Sequence, residues 1–266
     1  MPSAISLVTL LTDFGRRDYF VASMKGVILN INPQARIVDL SHEIMPHRVE
    51  DAAYVLKSCY RYFPDGTVHL AVVDPGVGSG RRPLLATSSR YFFVAPDNGI
   101  LTHVYDEESS MEVREIENKQ YRLDAEGATF DGRDLFAPAA AWLTRGQAPG
   151  TFGRLIREYV KLPIPEPAWE GQRLVGRIVY VDHFGNLISN LTALHLKEVY
   201  GVTRGGKPTI RIGAASIDAV LTSYADGERD AVRALVNSNG QVEIFVKEGS
   251  AAELLKCGLG ERIAIG

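Results

Sequence analysis

The chain has 266 residues, 45% of them hydrophobic, which exceeds a typical single domain and is ample for a buried core. Acidic and basic residues, 32 and 29, are mixed along the chain, so the net charge of −3 offers no basic face to nucleic acid or an anionic membrane. Two cysteines, Cys59 and Cys257, fit no metal or redox spacing, and no apolar run approaches a membrane span. The expected partner is a small molecule. With no basic segment and apolar run at its start, the chain reads as soluble and cytoplasmic.

Ile5 to Thr12 is an apolar run rich in β-branched residues, a buried strand that stops at Asp13-Phe14-Gly15. Phe20, Met24, Val27, Ile28 and Ile31 recur at helical spacing until Asn32-Pro33 ends the pattern. A strand at Arg36 to Leu40, a helix at Val49 to Tyr62 and a strand at Thr67 to Val73 follow. This alternation predicts an α/β N-terminal domain, residues 1–162, with a largely parallel sheet and ligands at the carboxyl ends of its strands. Leu84 to Ser88 and Tyr91 to Ala95 read as a hairpin, and Phe136 to Leu143 as a helix. Alternating prolines after Leu162 predict a semi-rigid linker over residues 163–171. Short β-rich runs at Leu174 to Val181, Thr209 to Ile212, Ala234 to Val236, Val242 to Val246 and Arg262 to Ile265 then predict a small all-β, barrel-like C-terminal domain, residues 172–266.

Asp13 at a strand end can hold a ribose diol or cap the following helix, and Asp18 is open in the same way. A protein-kinase reading of Asp13-Phe14-Gly15 fails, because no room remains upstream for a nucleotide lobe. Asp74-Pro75-Gly76-Val77-Gly78-Ser79-Gly80-Arg81 is either a flexible turn or a loop that brings backbone close to a ligand and folds Arg81 onto Asp74. Asp97-Asn98-Gly99 is a common turn composition. The segment Ala128 to Pro138 packs Asp131, Arg133 and Asp134 ahead of a helix, as a capped loop or a site would. Asp182-His183-Phe184-Gly185-Asn186 offers an acid for an ammonium, an aromatic face and an amide for a purine edge. The six histidines form no metal-binding spacing, so no metal is expected.

Thr12-Asp13-Phe14-Gly15, Asp74-Pro75-Gly76-Val77-Gly78, Pro96-Asp97-Asn98-Gly99, Gly132-Arg133-Asp134-Leu135-Phe136-Ala137-Pro138, Asp182 to Asn186 and Asn237-Ser238-Asn239-Gly240 occur in that order over nearly the whole chain. Together they resemble the S-adenosyl-L-methionine (SAM) hydroxide adenosyltransferases, adenosine-forming SAM hydrolases related to the bacterial fluorinase and chlorinase. The resemblance implies SAM as substrate, adenosine and L-methionine as products, no cofactor, and a homotrimer with active sites between subunits. It implies that Asp13 holds the ribose hydroxyls, and that Asp18, Asp182 and Ser238 hold the methionine ammonium or carboxylate. Asn98 belongs to the substrate-binding set, Asn186 reads the adenine edge beside Phe184, and the backbone around Lys247, Glu248 and Gly249 completes the adenine pocket. Water activation falls to Asp74, Arg81 and a third position, which is histidine in the family pattern and Asp131 here. The extra loop of the halide enzymes after the region of Arg82 is missing, which favours water over halide as nucleophile. The exchange at Asp131 leaves a second reading, a SAM or adenosine binding protein of the same fold with little turnover.

Overall fold

The computed structural model describes residues 5–124, 127, 129–202 and 209–266; Ala128, which opens the charged segment noted above, lies outside them. The chain divides into two compact units, Met1–Leu162 and Pro163–Gly266.

The first unit holds seven strands: β1 (Leu7–Thr12), β2 (Arg36–Ser41), β3 (Val68–Val72), β4 (Pro83–Thr87), β5 (Phe92–Pro96), β6 (Glu112–Glu115) and β7 (Leu155–Ile156). Their order across the sheet is β2-β1-β3-β5-β4-β6-β7. The first four neighbours run parallel, but β4, β6 and β7 pair antiparallel, so the sheet is mixed rather than largely parallel. Ser88 to Tyr91 alone separate β4 from β5, and so short a connection allows only a hairpin, whereas a parallel crossover takes about a dozen residues. Helices cover both faces. On one, α1 (Phe20–Ile31) packs against α4 (Ala137–Thr144), and Met24 and Ile28 of α1 join a fully buried cluster with Val8, Leu10, Leu70 and Phe136. On the other, α2 (Val49–Cys59) and α3 (Thr102–Glu107) cover Leu11, Ala71, Leu84 and Phe93. The helix expected to run to Tyr62 tightens into a 3₁₀ turn at Tyr60–Tyr62.

His69 on β3 is buried in an aromatic enclosure, its ring centroid 5.1–5.9 Å from those of Tyr60, Phe63, Tyr91 and Phe93. Its Nδ1 lies 2.8 Å from the Thr9 hydroxyl. Burial pushes its pKa from 6.5 down to about 3. Between those values the unfolded chain binds a proton that the folded chain refuses, so stability rises with pH. Urea denaturation should show stability falling as pH drops below 6.5, with a contribution of about 1.4 kcal/mol per pH unit from this group. His69→Phe should flatten that slope.

The second unit contains β8 (Ala168–Glu170), β9 (Arg173–Val181), β10 (Leu187–Thr192), β11 (Ile210–Ile212), β12 (Ala215–Ile217), β13 (Val220–Leu221), β14 (Val232–Val236), β15 (Gln241–Val246) and β16 (Arg262–Ile265). They form one nearly closed, barrel-like sheet, β12-β11-β16-β9-β10-β15-β14-β13, and β12 also packs against β14. β8 pairs with β9, so the proline-rich segment is already part of this sheet from Ala168 onwards. Two short helices, α5 (Ala193–Val202) and α6 (Ala251–Leu255), accompany this β sheet. Leu196 and Val199 of α5 and Ala251 of α6 complete the core with Ile178, Leu191 and Ile244.

Candidate active site

Strand order in the first sheet reverses at β1 and β3, because the chain leaves β1 for β2 on one side and returns to β3 on the other. A crevice therefore opens at the carboxyl ends of these two strands, where open α/β sheets bind ligands. Thr12 lies beside Val72 in the parallel register, which puts Asp13 and Asp74 on the same rim of the sheet.

The glycine-rich loop after Asp74 folds back on itself, with Val77 N donating to Asp74 O (3.2 Å) and Ser79 N to Gly76 O (3.0 Å). A Cβ on Gly76 would sit 3.2 Å from Arg81 Cγ, so this glycine leaves Arg81 the room to return to the strand end. Arg81 Nε donates to both Asp74 oxygens at 3.0 and 2.9 Å, and its Nη2 bonds Asp74 Oδ2 as well. The same Nη2 donates to Asp131 Oδ2 at 2.5 Å. The three side chains are 6, 11 and 20% exposed in the order Asp74, Arg81, Asp131. Burial opposes the guanidinium charge, but hydrogen bonds and attraction from both carboxylates outweigh it and hold the Arg81 pKa above its usual value. The guanidinium also lies over the buried Phe136 ring, 5.0 Å from its centroid.

Asp131 reaches Arg81 because it directly precedes a π-helical turn, Gly132–Phe136, that continues into α4. Such wide turns recur at functional sites. Arg133 and Asp134 of this turn pair with each other at 2.6 and 2.9 Å. The Phe130 ring packs on Phe14 and Phe20, which brings the turn after Asp13 next to the turn before Asp131. Asp13 itself accepts the backbone N–H of His47 at 2.9 Å.

The sequence missed the pair beside this cluster. Arg82 donates to Asp97 at 2.9 and 2.6 Å, so two adjacent arginines anchor two neighbouring loops; the doublet Arg81-Arg82 was the signal. Asn98 gives its amide to Val73 O at 2.7 Å and accepts from Ile100 N at 3.2 Å, bracing the segment that ends in Asp74. Asp18 is exposed ahead of α1.

In the second unit the loop between β9 and β10 is organised by Asp182. Its Oδ1 accepts the N–H groups of Phe184 and Asn186, and its Oδ2 accepts the Asn186 amide, each at 2.9 Å. Gly185, at φ 79°, lets this loop lie against Ser250, where any Cβ would come within 2.1 Å of the Ser250 hydroxyl. Asp182, Phe184 and Asn186 form one wall of a cavity of about 680 Å³; Tyr224, Ala225 and Val246 to Ser250 form the rest. The side chains of Lys247 and Glu248 engage neighbours, Lys247 bonding Ala225 O at 2.8 Å and Glu248 pairing with Arg229. Tyr224, half exposed and unforeseen in the sequence, adds a second aromatic side chain to the lining besides the exposed Phe184. Ser238 lies outside the lining, exposed at the turn between β14 and β15.

Among the described residues no three His, Cys, Asp or Glu side chains cluster as a metal site, and no helix is long and apolar enough to cross a membrane. The clustered carboxylates and guanidinium can orient a water and take a proton from it; the cavity suits a flat heterocycle.

The family models for the SAM hydroxide adenosyltransferase N-terminal and C-terminal domains match residues 8–153 and 176–264. The chain is 34% identical to an (R)-S-adenosyl-L-methionine hydrolase of Methanocaldococcus jannaschii, over 98% of this chain and 96% of that one. It is 28% identical to a fluorinase of Nocardia brasiliensis over 98 and 97% of the two chains. A conserved protein of Thermotoga maritima of solved structure superposes with a TM-score of 0.88 at 35% identity, covering 97% of this chain and 99% of that one. With both of its parts matched and a relative aligned nearly end to end, the chain belongs to the SAM hydroxide adenosyltransferase family.

Proposed function

We infer that this chain is an enzyme that hydrolyses SAM, water attacking the ribose C5′ to give adenosine and L-methionine. The observation that carries the reading is Arg81 held between Asp74 and Asp131 at the mouth of the β1/β3 crevice, in a chain whose relatives include named SAM hydrolases over nearly full length.

SAM is a sulfonium, so its leaving group departs as a neutral thioether and needs no activation by a metal or cofactor. The catalytic demand is to align a water with the carbon–sulfur bond and to receive its proton. Asp131 Oδ2 is committed to Arg81, and its Oδ1 has no partner among the described residues, so it is placed to accept a hydrogen bond from the water. Arg81 fixes both carboxylates in place through its hydrogen bonds to each. The new C5′–O bond forms as the C5′–S bond breaks, and the proton leaves through a carboxylate. Asp13 supplies acceptors for the ribose diol; Phe184, Tyr224 and Asn186 supply aromatic faces and an amide for adenine.

Incubation of purified protein with SAM in H₂¹⁸O should release adenosine carrying the label on its 5′ oxygen; no adenosine above a no-enzyme control, despite saturable SAM binding, would sink the reading. Added chloride or fluoride should give no 5′-halo product, and activity should survive dialysis against EDTA. Asp131→His should retain or raise the hydrolysis rate, since it supplies the histidine of the family pattern. A large loss in the adenosine assay with SAM affinity unchanged would show instead that the carboxylate has its own role. We also propose a cytoplasmic homotrimer, which a monomeric mass by light scattering would refute.

A further inference from the structure

Glu243 lies in the middle of β15, its register partners being Leu235 on β14 and Ile188 on β10, and its side chain is 3% exposed. Among the described residues no lysine, arginine or histidine pairs with it. A carboxylate buried without a counter-charge is costly, and an apolar residue would suit this strand better. What the carboxylate does is join two separate elements. One oxygen accepts the Tyr224 hydroxyl at 2.6 Å; the other accepts the Asn237 amide at 3.1 Å. The Tyr224 ring, set edge-on against Phe245 at 5.0 Å, is a wall of the cavity. Asn237 opens the turn that carries Ser238, and its own oxygen accepts the N–H groups of Asn239 (3.0 Å) and Gln241 (3.1 Å).

We propose that Glu243 is a positioning residue that locks the aromatic wall of the cavity to the Ser238 turn, so that the groups facing the two ends of an adenosyl-methionine keep a fixed spacing. This rests on the substrate inferred above. The carboxylate touches no substrate; it acts through Tyr224 and Asn237.

Calorimetric titration of the full chain with SAM and with adenosine, together with steady-state kinetics, tests it. Glu243→Leu should melt within a few degrees of the wild type, yet weaken SAM binding and raise KM by about tenfold with kcat little changed, the loss expected for one hydrogen bond to a charged group. Asn237→Asp keeps the acceptor for the turn but sets a second carboxylate against Glu243, and should weaken SAM to a similar extent. Combining it with Glu243→Gln should restore the affinity, because the new amide donates where the carboxylates repelled and still accepts from Tyr224. Glu243→Gln alone offers one acceptor for two donors and should fall between wild type and Glu243→Leu. Wild-type SAM affinity in Glu243→Leu, or no rescue in the double variant, overturns the proposal. If the wild type binds SAM and forms no adenosine, the inferred reaction fails while these binding comparisons still decide the role of Glu243.

Discussion

Arg81→Met is expected to lower kcat for SAM hydrolysis by about 10²–10³-fold, the usual cost of removing one preorganised charged donor from an active site. Methionine fills much of the same volume over Phe136, so the space is kept and the charge is lost. Two carboxylates that shared one cation are then left facing each other, one 6% and the other 20% exposed. Repulsion between them favours protonation of one, which removes an acceptor from the water. Removing one partner of a buried ion pair costs roughly 3–5 kcal/mol, and the lower end applies here because Asp131 keeps some contact with solvent. Adenosine release at saturating SAM, read beside a urea melt, separates the two effects. Arg81→Lys should recover stability more than rate, since an ammonium cannot bridge both carboxylates with the geometry of a planar guanidinium.

Phe136→Ala should destabilise the first unit by about 3–5 kcal/mol, as large-to-small changes of a fully buried ring do. Phe136 closes the π turn, joins the cluster of Val8, Leu10 and Val72, and lies beneath Arg81. Its loss would open a cavity where the sheet, α4 and the guanidinium meet. Phe136→Leu keeps most of the volume and should cost about 1–1.5 kcal/mol. It also removes the aromatic face, so a fall in kcat larger than the small loss of stability suggests would show that the ring holds Arg81 in place. Chemical denaturation of both variants, with kcat measured well below their midpoints, checks this.

The strand-end carboxylates Asp13 and Asp74 were legible because apolar runs stop at them, and α1 was legible because Met24, Val27, Ile28 and Ile31 repeat at helical spacing. The β4/β5 hairpin was legible from its short connection, but the antiparallel addition of β6 and β7 beyond it was not, since both are short strands with little apolar pattern to mark them. The fold of Arg81 onto Asp74 could be anticipated from the glycines between them, but the use of Asn98 as a brace for Val73 could not, since turn composition says nothing of what the amide reaches. Tyr224 was missed for a similar reason. It sits in a short 3₁₀ turn of polar sequence, where no periodicity marks a side chain as facing a cavity. Nor does sequence reveal a π turn, since Gly132 to Phe136 carry no composition that marks one residue too many for the turn they make.

That extra position sets which way residue 131 faces. An α-helix turns by about 100° per residue, so deleting a single residue between Gly132 and Phe136 would let the helix run on regularly and swing Asp131 about a quarter-turn from Arg81. The packing of α4 on β1 and β3 would be unaffected. The wide turn is thus a spacer: the sheet and α4 fix the helix, and one surplus residue aims its first carboxylate.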